Sequence, residues 1–303
     1  MKTFQYHPIA FVNAAGMHAS AFYTAIENSM LYAKPSKLDL SGFGDHHLQV
    51  QLEPLIPYDK TTRCLLLLEN LIEQVVERET NFEHLVIVSN CLADDSDALS
   101  HIENRVNQLW PNLSEIKFID SIKLDDLATL DDNTLLLGAD SCIDLASIES
   151  IRQINPIQTQ NGPLGVTVGE GGVAMLLSSS ANMTASFDEN EISQQLNLMS
   201  VGLEDMVIQA GQLSEQSIRK WFGTTAHLYK QTDDSVFEPD LIEAPCFNAI
   251  VGYSGEVDLL MALVLAESYI QNPVKPKDRV YICQHLDVGM QLLKIEPTNL
   301  KTY

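Results

Sequence analysis

The chain has 303 residues, 45% of them apolar, and a formal net charge of -23 with a sequence isoelectric point near 4.5. This length suits two closely packed halves around a large core rather than one small domain. The negative charge repels nucleic acid and anionic membrane surfaces, so neither is an expected partner. We find no run of roughly 18 apolar residues that could span a bilayer and no signal peptide.

Five cysteines are spread along the chain without a CxxC pair: Cys64, Cys91, Cys142, Cys246 and Cys283. Their odd number, and the position of several within apolar runs, favour buried free thiols over a disulfide framework. We therefore expect a protein of a reducing compartment, which indicates the cytoplasm.

Helical and strand patterns alternate through the first half of the chain. In chain order they are strand Pro8–Asn13, helix Ser20–Tyr32, loop Ser36–Asp59, helix Thr61–Arg78, strand Leu85–Ser89, helix Asp95–Leu109, strand Glu115–Ile119, strand Asn133–Leu137 and helix Asp144–Arg152.

A glycine-rich stretch, GVTVGEGGVAMLL, covers Gly165–Leu177. A phosphate-binding loop would lead from a strand into a helix, with Lys-Ser or Lys-Thr after the glycines. Here residues typical of strands stand on both sides of the glycines and no such lysine follows. We therefore predict a strand, a tight turn made by Gly169, Glu170, Gly171 and Gly172, and a second strand over Val173–Leu177.

The weakly apolar segment Ser180–Glu191 is predicted to link the two halves, which we place at 1–185 and 186–303 within one compact unit. The second half contains, in order, a partly apolar segment Leu196–Val207, helix Ser214–Trp221, acidic loop Gln231–Asp240, strand Asn248–Val251, a very apolar helix Glu256–Ile270, and strands Arg279–Gln284 and Met290–Ile295. The alternation predicts α/β layers, and the apolar helix is expected to be deeply buried.

Four motifs occur in the order found in the thiolase-fold β-ketoacyl synthases, and the chain resembles that family over nearly its whole length. They are GADSC from Gly138, GVTVGEGGVAMLL from Gly165, NAIVGYSG from Asn248 and RVYICQHLDVGMQLLKI from Arg279. The resemblance implies an α/β fold of the thiolase-like (ketosynthase-like) type, with duplicated α/β/α/β/α layers, reduced in size.

The departures from this family concern its catalytic residues. A condensing ketosynthase has a cysteine nucleophile at an elbow between a strand and a helix, where this sequence has Asp120, Ser121 and Ile122. The resemblance also implies a histidine where Tyr253 stands, and no HGTGT motif is present. A thiolate nucleophile needs a positioned cysteine with a lowered pKa, so we expect no condensation by this chain alone and assign no catalytic residue.

With a ketosynthase-like fold and no nucleophile, the chain resembles the chain length factors. It most resembles the ketosynthase partner subunit of bacterial aryl polyene biosynthesis. The resemblance implies a heterodimer with a catalytic β-ketoacyl synthase, paired through the strand Glu115, Ile116, Lys117, Phe118, Ile119 and Asp120. It also implies that the chain shapes the acyl tunnel of its partner. Contact with the acidic acyl carrier protein would be indirect, because this chain is itself strongly acidic.

Two alternatives remain open. The chain could be a diverged thiolase-fold acyltransferase or thioesterase that uses Cys142 or Cys91 as its nucleophile, or a homodimer that binds an acyl chain without chemistry. His46 and His47 stand side by side, but they lack further ligands at useful spacing and are expected in a solvated loop. No metal site and no cofactor are predicted.

Overall fold

A computed structural model describes residues 2–37, 45–56, 58–92, 95–161, 165–187, 206–210, 247–286 and 289–298. The predicted helix Ser214–Trp221, the loop Gln231–Asp240 and most of the segment Leu196–Val207 lie outside these residues. None of the helices in the described ranges is long and apolar enough to cross a membrane.

Eleven strands lie within the described residues: β1 Lys2–Val12, β2 Lys34–Pro35, β3 Leu48–Gln49, β4 His84–Val88, β5 Glu115–Ile119, β6 Thr134–Ser141, β7 Glu170–Leu177, β8 Met183–Phe187, β9 Met206–Ala210, β10 Val280–Leu286 and β11 Gly289–Pro297. Nine of them form one sheet in the order β5-β4-β6-β7-β1-β8-β11-β10-β9, and β2 pairs with β3. The first half supplies β5 to β1 in this order, and the second half begins with β8.

The sheet repeats one strand pattern. In the first half β4 is parallel to both β5 and β6, whereas β7 is antiparallel to its neighbours β6 and β1. In the second half β10 is parallel to β9, whereas β11 is antiparallel to its neighbours β10 and β8. The two sets meet where β1 pairs antiparallel with β8. This repetition is the duplicated arrangement that the resemblance to the thiolase-fold family implies.

Within the same described ranges, seven α-helices accompany these strands: α1 Ala19–Glu27, α2 Lys60–Glu77, α3 Ser96–Leu109, α4 Leu124–Leu127, α5 Leu145–Ile154, α6 Asn248–Val251 and α7 Asp258–Ile270. The carboxylate of Asp59 accepts a hydrogen bond from the Thr62 N–H in the first turn of α2, and that of Asp95 accepts from the Asp97 and Ala98 N–H groups in the first turn of α3. Such capping satisfies donors that have no partner inside the helix.

Helix α7 lies at the centre of the largest hydrophobic core. All but one of its 13 residues are buried. It packs with Leu136 and Met175 of the first half and with Ile282 and Leu293 of the second. Helices α2 and α3 cover the other face of β4 and β6. The expected α/β layering is thus present, and the helix of highest apolar content occupies the layer that is buried on all sides.

The predicted turn at Gly169–Gly172 is wrong. Residues Glu170–Leu177 form the continuous strand β7, in which Gly171 pairs with Asp140 and Gly172 pairs with Ala139. The glycines allow close packing instead, because a β-carbon on Gly171 would collide with the Met261 side chain of α7 and lie 2.7 Å from the Val12 carbonyl oxygen. Glycine within a strand often marks such a close approach.

Two further predictions are corrected by tertiary contacts. Asn248–Val251 is the short helix α6 rather than a strand, and it ends at Gly252, which has a φ of 79°. The predicted linker Ser180–Glu191 contains β8, which is paired with β1 and β11. The boundary drawn between residues 185 and 186 therefore falls within a strand.

Candidate functional site

The predicted elbow follows β5 and is short. Asp120 and Ser121 are exposed, whereas Ile122 is only 5% exposed and belongs to the central core. The next helix, α4, has four residues, and the Lys123 N–H before it donates to the Asp126 carboxylate at 2.9 Å. The elbow thus presents a carboxylate and a hydroxyl to solvent and an apolar side chain to the core.

The segment that carries Tyr253 lies beside this elbow. The backbone N–H of Glu256 donates to Asp140 Oδ2 at 3.0 Å. Burial raises the pKa of Glu256, and the charges of Asp140 and Asp120 raise it further, whereas Lys60 and Lys123 lower it. The structure therefore brings together the elbow, the end of β6 and the 253–256 segment, which are far apart in sequence.

Tyr253 occupies the position where the resemblance implies a histidine. Its N–H donates to the Thr167 carbonyl at 2.7 Å, and its carbonyl accepts from the Gly169 N–H at 2.8 Å. The residue is 9% exposed and packs with Cys142, Val166 and Val168. A phenol held in an apolar cluster does not offer the proton transfer near neutral pH that an imidazole provides.

Asp140, near the end of β6, is a buried carboxyl at the centre of this region. Its Oδ1 accepts from the Ser141 N–H at 2.7 Å, and its nearest cation is Lys60, whose Nζ lies 3.9 Å away. Lys60 also contacts Asp144 at 3.4 Å and donates to Ser147 Oγ at 2.7 Å. Burial raises the pKa of Asp140, because Lys60 and the two backbone N–H groups stabilise the carboxylate less than the water that burial removes.

A second buried carboxylate, Glu170, has a complete set of partners. Arg63 Nε donates to Glu170 Oε2 and Arg63 Nη2 donates to Oε1, both at 2.8 Å. Glu170 also accepts from the Leu52 N–H at 2.7 Å and from Ser141 Oγ at 3.1 Å. This pair was not predicted from the sequence, although an arginine on the apolar face of a predicted helix is a signal for a buried anion.

The cysteines are not arranged as nucleophiles. Cys142 is buried, and desolvation together with the charge of Asp140 raises the pKa of its thiol well above the usual value. Cys91 forms a disulfide with Cys64, so the prediction of free thiols is wrong for these two residues. The Cys91 sulfur lies 3.1 Å from Asp140 Oδ1, and a disulfide sulfur carries no proton with which to stabilise a carboxylate.

One group of possible metal ligands lies at this end of the sheet. Ligand atoms of Cys64, Cys91 and Asp140 lie within 4.8 Å of one another, but the disulfide removes the thiolates that a metal would require. His47 is not in a solvated loop as predicted; it is 1% exposed and its Nε2 lies 3.2 Å from Gln49 Oε1.

A cavity of about 210 Å³ adjoins the end of β5. Its lining is mostly apolar and consists of Ile87, Ser89, Leu92, Leu99, Phe118, Ile119 and Asp120. The Ser89 hydroxyl is buried without a hydrogen-bond partner. The edge strand predicted to form an interface therefore also forms one wall of a cavity.

No protein-family model matches the sequence, and no curated protein matches it. Solved structures are similar over nearly the full length. A type II polyketide synthase structure, in which an acyl-carrier protein is in complex with its ketosynthase bound to the hexaketide, has a TM-score of 0.56 at 9% identity, covering 97% of this chain and 99% of that chain. The ishigamide ketosynthase/chain length factor has a TM-score of 0.53 at 13% identity, covering 99% and 100%.

A β-ketoacyl synthase from Burkholderia phymatum STM815 is similar in the same way, with a TM-score of 0.55 at 12% identity over 99% of this chain and 100% of that chain. These likenesses establish the fold as mixed α/β and thiolase-like, of the ketosynthase type. Activity does not follow from a shared fold, and it has to be argued from the residues described above.

Proposed function

We propose that this chain is a non-catalytic ketosynthase-like subunit, a chain length factor, that forms a heterodimer with an active β-ketoacyl-ACP synthase. The observation that carries the proposal is the elbow after β5, where the buried core residue Ile122 lies near the position at which the resemblance implies the nucleophile. Neither alternative nucleophile is activated, because Cys142 is a buried thiol of raised pKa and Cys91 is in a disulfide. A structural neighbour that is itself a ketosynthase/chain length factor supports the proposal.

The interface is the outer edge of β5, the end strand of the sheet among the described residues. The Ile119 carbonyl accepts from the Ser89 N–H at 3.1 Å, so the backbone groups of Ile119 face β4. Because backbone groups of successive residues alternate in direction along a strand, those of Ile116 and Phe118 face outward. A partner strand pairs with these groups, as exposed strand edges allow.

The chain contributes to the acyl tunnel through the cavity beside β5. Its apolar lining suits the far end of a growing acyl chain, and Phe118 and Ile119 connect it directly to the interface strand. The product belongs to a polyene or polyketide pathway, and the aryl polyene pathway is the form proposed here. The catalytic partner supplies the basic surface for the carrier protein, because this chain has a net charge of -23. We propose a cytoplasmic location from this role alone, because the Cys64–Cys91 disulfide removes the argument from free thiols.

Co-expression with a candidate β-ketoacyl-ACP synthase from the same genome, followed by size-exclusion chromatography with light scattering, tests the heterodimer. We expect a stable one-to-one complex. Ile116→Pro removes an outward N–H, a position where an edge strand tolerates proline, and should abolish the complex while the far-UV circular dichroism of the chain stays unchanged. Ile116→Val is the matched control and should bind normally.

Two separate peaks for the wild-type pair would overturn the heterodimer. Mass spectrometry after incubation with an acyl thioester would then test the enzyme alternative, since an adduct on Cys142 or Cys91 would identify a nucleophile. If the complex forms, Leu99→Ala should enlarge the cavity and lengthen the product. Unchanged product length in this variant would exclude the cavity from the tunnel.

A further inference from the structure

A second cluster of polar side chains lies at the end of β4, β5 and β6 opposite to the elbow. His84 begins β4 and pairs in register with Glu115, the first residue of β5. On the other side it pairs with Thr134, whose hydroxyl donates to the Asp131 carbonyl at 2.7 Å. One ligand atom each from His84, Glu115 and Asp131 lies within 4.8 Å of the other two. The strand register therefore holds an imidazole and two carboxylates together.

The cluster has unbalanced charge and an unsatisfied nitrogen. His84 Nδ1 is buried without a hydrogen-bond partner, which is unfavourable for a polar atom. Glu115 and Asp131 are exposed, and among the described residues no lysine or arginine forms an ion pair with either of them. Two neighbouring carboxylates in a chain of net charge -23 repel each other, and a bound cation would relieve this repulsion.

We propose that His84, Glu115 and Asp131 form a binding site for a divalent transition metal ion, with Zn²⁺ as the ion of choice. One imidazole nitrogen and two carboxylate oxygens are ligands that zinc accepts, and water completes the coordination. The imidazole is oriented by its strand, and the two carboxylates are exposed side chains that can turn toward the ion. The bound metal joins the first residue of β5 to β4 and to the segment before β6.

This site does not depend on the proposed function, because it is formed within one chain and is tested on that chain alone. The position of the site has a structural consequence, because Glu115 is the first residue of the edge strand β5. A metal ion there would hold the start of that strand in place. No metal site was predicted from the sequence, since the three ligands are separated by 16 to 47 positions and share no motif.

Isothermal titration calorimetry of ZnCl₂ into the tag-free chain tests the site. The buffer contains no added reductant, so that the Cys64–Cys91 disulfide stays closed, and no added oxidant. We expect one ion per chain at this site. Its affinity should fall at least tenfold in His84→Ala and in the near-isosteric Glu115→Gln and Asp131→Asn. Co²⁺ in place of Zn²⁺ gives an independent readout, because its visible absorption reports nitrogen and oxygen ligation.

The matched control is His101→Ala. His101 Nε2 lies 2.7 Å from Glu69 Oε1 on the outer helices, so it is also an imidazole beside a carboxylate, but it lacks a third ligand among the described residues. This variant should bind zinc like the wild type. The proposal is overturned if no zinc binds, or if the affinity is unchanged in His84→Ala or in Asp131→Asn. The two amide variants keep the side-chain shape, so loss of binding cannot be attributed to unfolding when their thermal transitions match the wild type.

Discussion

Glu170 and Asp140 are buried carboxyl groups on neighbouring strands, yet their surroundings differ. Glu170 receives two hydrogen bonds from Arg63, both at 2.8 Å. The Nζ atom of Lys60 lies 3.9 Å from Asp140 Oδ1, and Lys60 also forms an ion pair with Asp144. Both cations come from the first turn of α2. The planar guanidinium thus compensates its buried carboxylate with two hydrogen bonds, whereas the shared ammonium leaves Asp140 with a raised pKa.

Removing the arginine beside Glu170 should lower the unfolding free energy more than any other change described below. Arg63→Met leaves a fully buried carboxylate without a cation, which costs about 3–5 kcal/mol of unfolding free energy. Urea denaturation followed by circular dichroism measures the loss. Arg152→Met, at an exposed arginine of α5, is the control and should be nearly neutral. Adding Glu170→Gln to Arg63→Met should recover part of the loss, and no recovery would contradict an electrostatic origin.

The disulfide beside Asp140 is expected to have the next largest effect. Cys64 and Cys91 are 27 positions apart, and a loop of this length corresponds to about 3.5 kcal/mol in the chain-entropy description of cross-links. Cys64→Ala combined with Cys91→Ala should lower the unfolding free energy by about that amount. Peptide mapping of the alkylated, unreduced wild-type chain should recover the two cysteines in one linked pair. Separately alkylated peptides would contradict the disulfide.

The glycine opposite Asp140 tests how closely α7 packs on β7. Gly171→Ala places a methyl group against Met261 and 2.7 Å from the Val12 carbonyl oxygen, at a cost of about 1–3 kcal/mol. Thermal unfolding measures this cost. Gly171→Val should cost more than Gly171→Ala. Equal stability of all three proteins would show that β7 and α7 are farther apart than described.

The ionisation of Asp140 should change the unfolding free energy least, and it should do so in a pH-dependent way. Its folded-state pKa is raised above the usual value of 3.8, so the folded state holds the proton more tightly than the unfolded state does. The stability contribution of Asp140 is therefore fully present below pH 3.8 and is lost as pH rises through the raised pKa. Each unit of that rise corresponds to about 1.4 kcal/mol.

The measurement is the difference in unfolding free energy between the wild type and Asp140→Asn as a function of pH. The wild type should lose stability relative to the variant as pH rises above 3.8. The control is Asp132→Asn, for which the pH dependence should have the opposite sign, because hydrogen bonds from Ser179 lower the pKa of Asp132. Its contribution is present above pH 3.8 and is lost as pH falls through its lowered pKa. The same sign for both residues would contradict the account of Asp140.

Much of the architecture could be read from the sequence because it depends on local periodicity. The strand Glu115–Ile119 has the predicted bounds, and α2 differs from the predicted helix by one residue at each end. The apolar run of α7 correctly predicted burial on all sides. The order of the motifs led to the thiolase-like fold, which the solved structures share. Such patterns are visible because each element must turn its apolar residues toward the core.

Contacts between residues that are distant in sequence follow from the three-dimensional packing. Arg63 and Glu170 are 107 positions apart, and Cys64 reaches Cys91 only because α2 packs against the loop after β4. Gly169–Gly172 suggested a turn because glycine has no side chain to show what lies opposite. The atoms opposite Gly171 belong to α7 and β1, and those opposite Gly172 belong to α2 and β6. Local sequence reports the conformation that a segment prefers. The partners of a buried charge, a thiol or a glycine are set by the register of the strands and the packing of the helices.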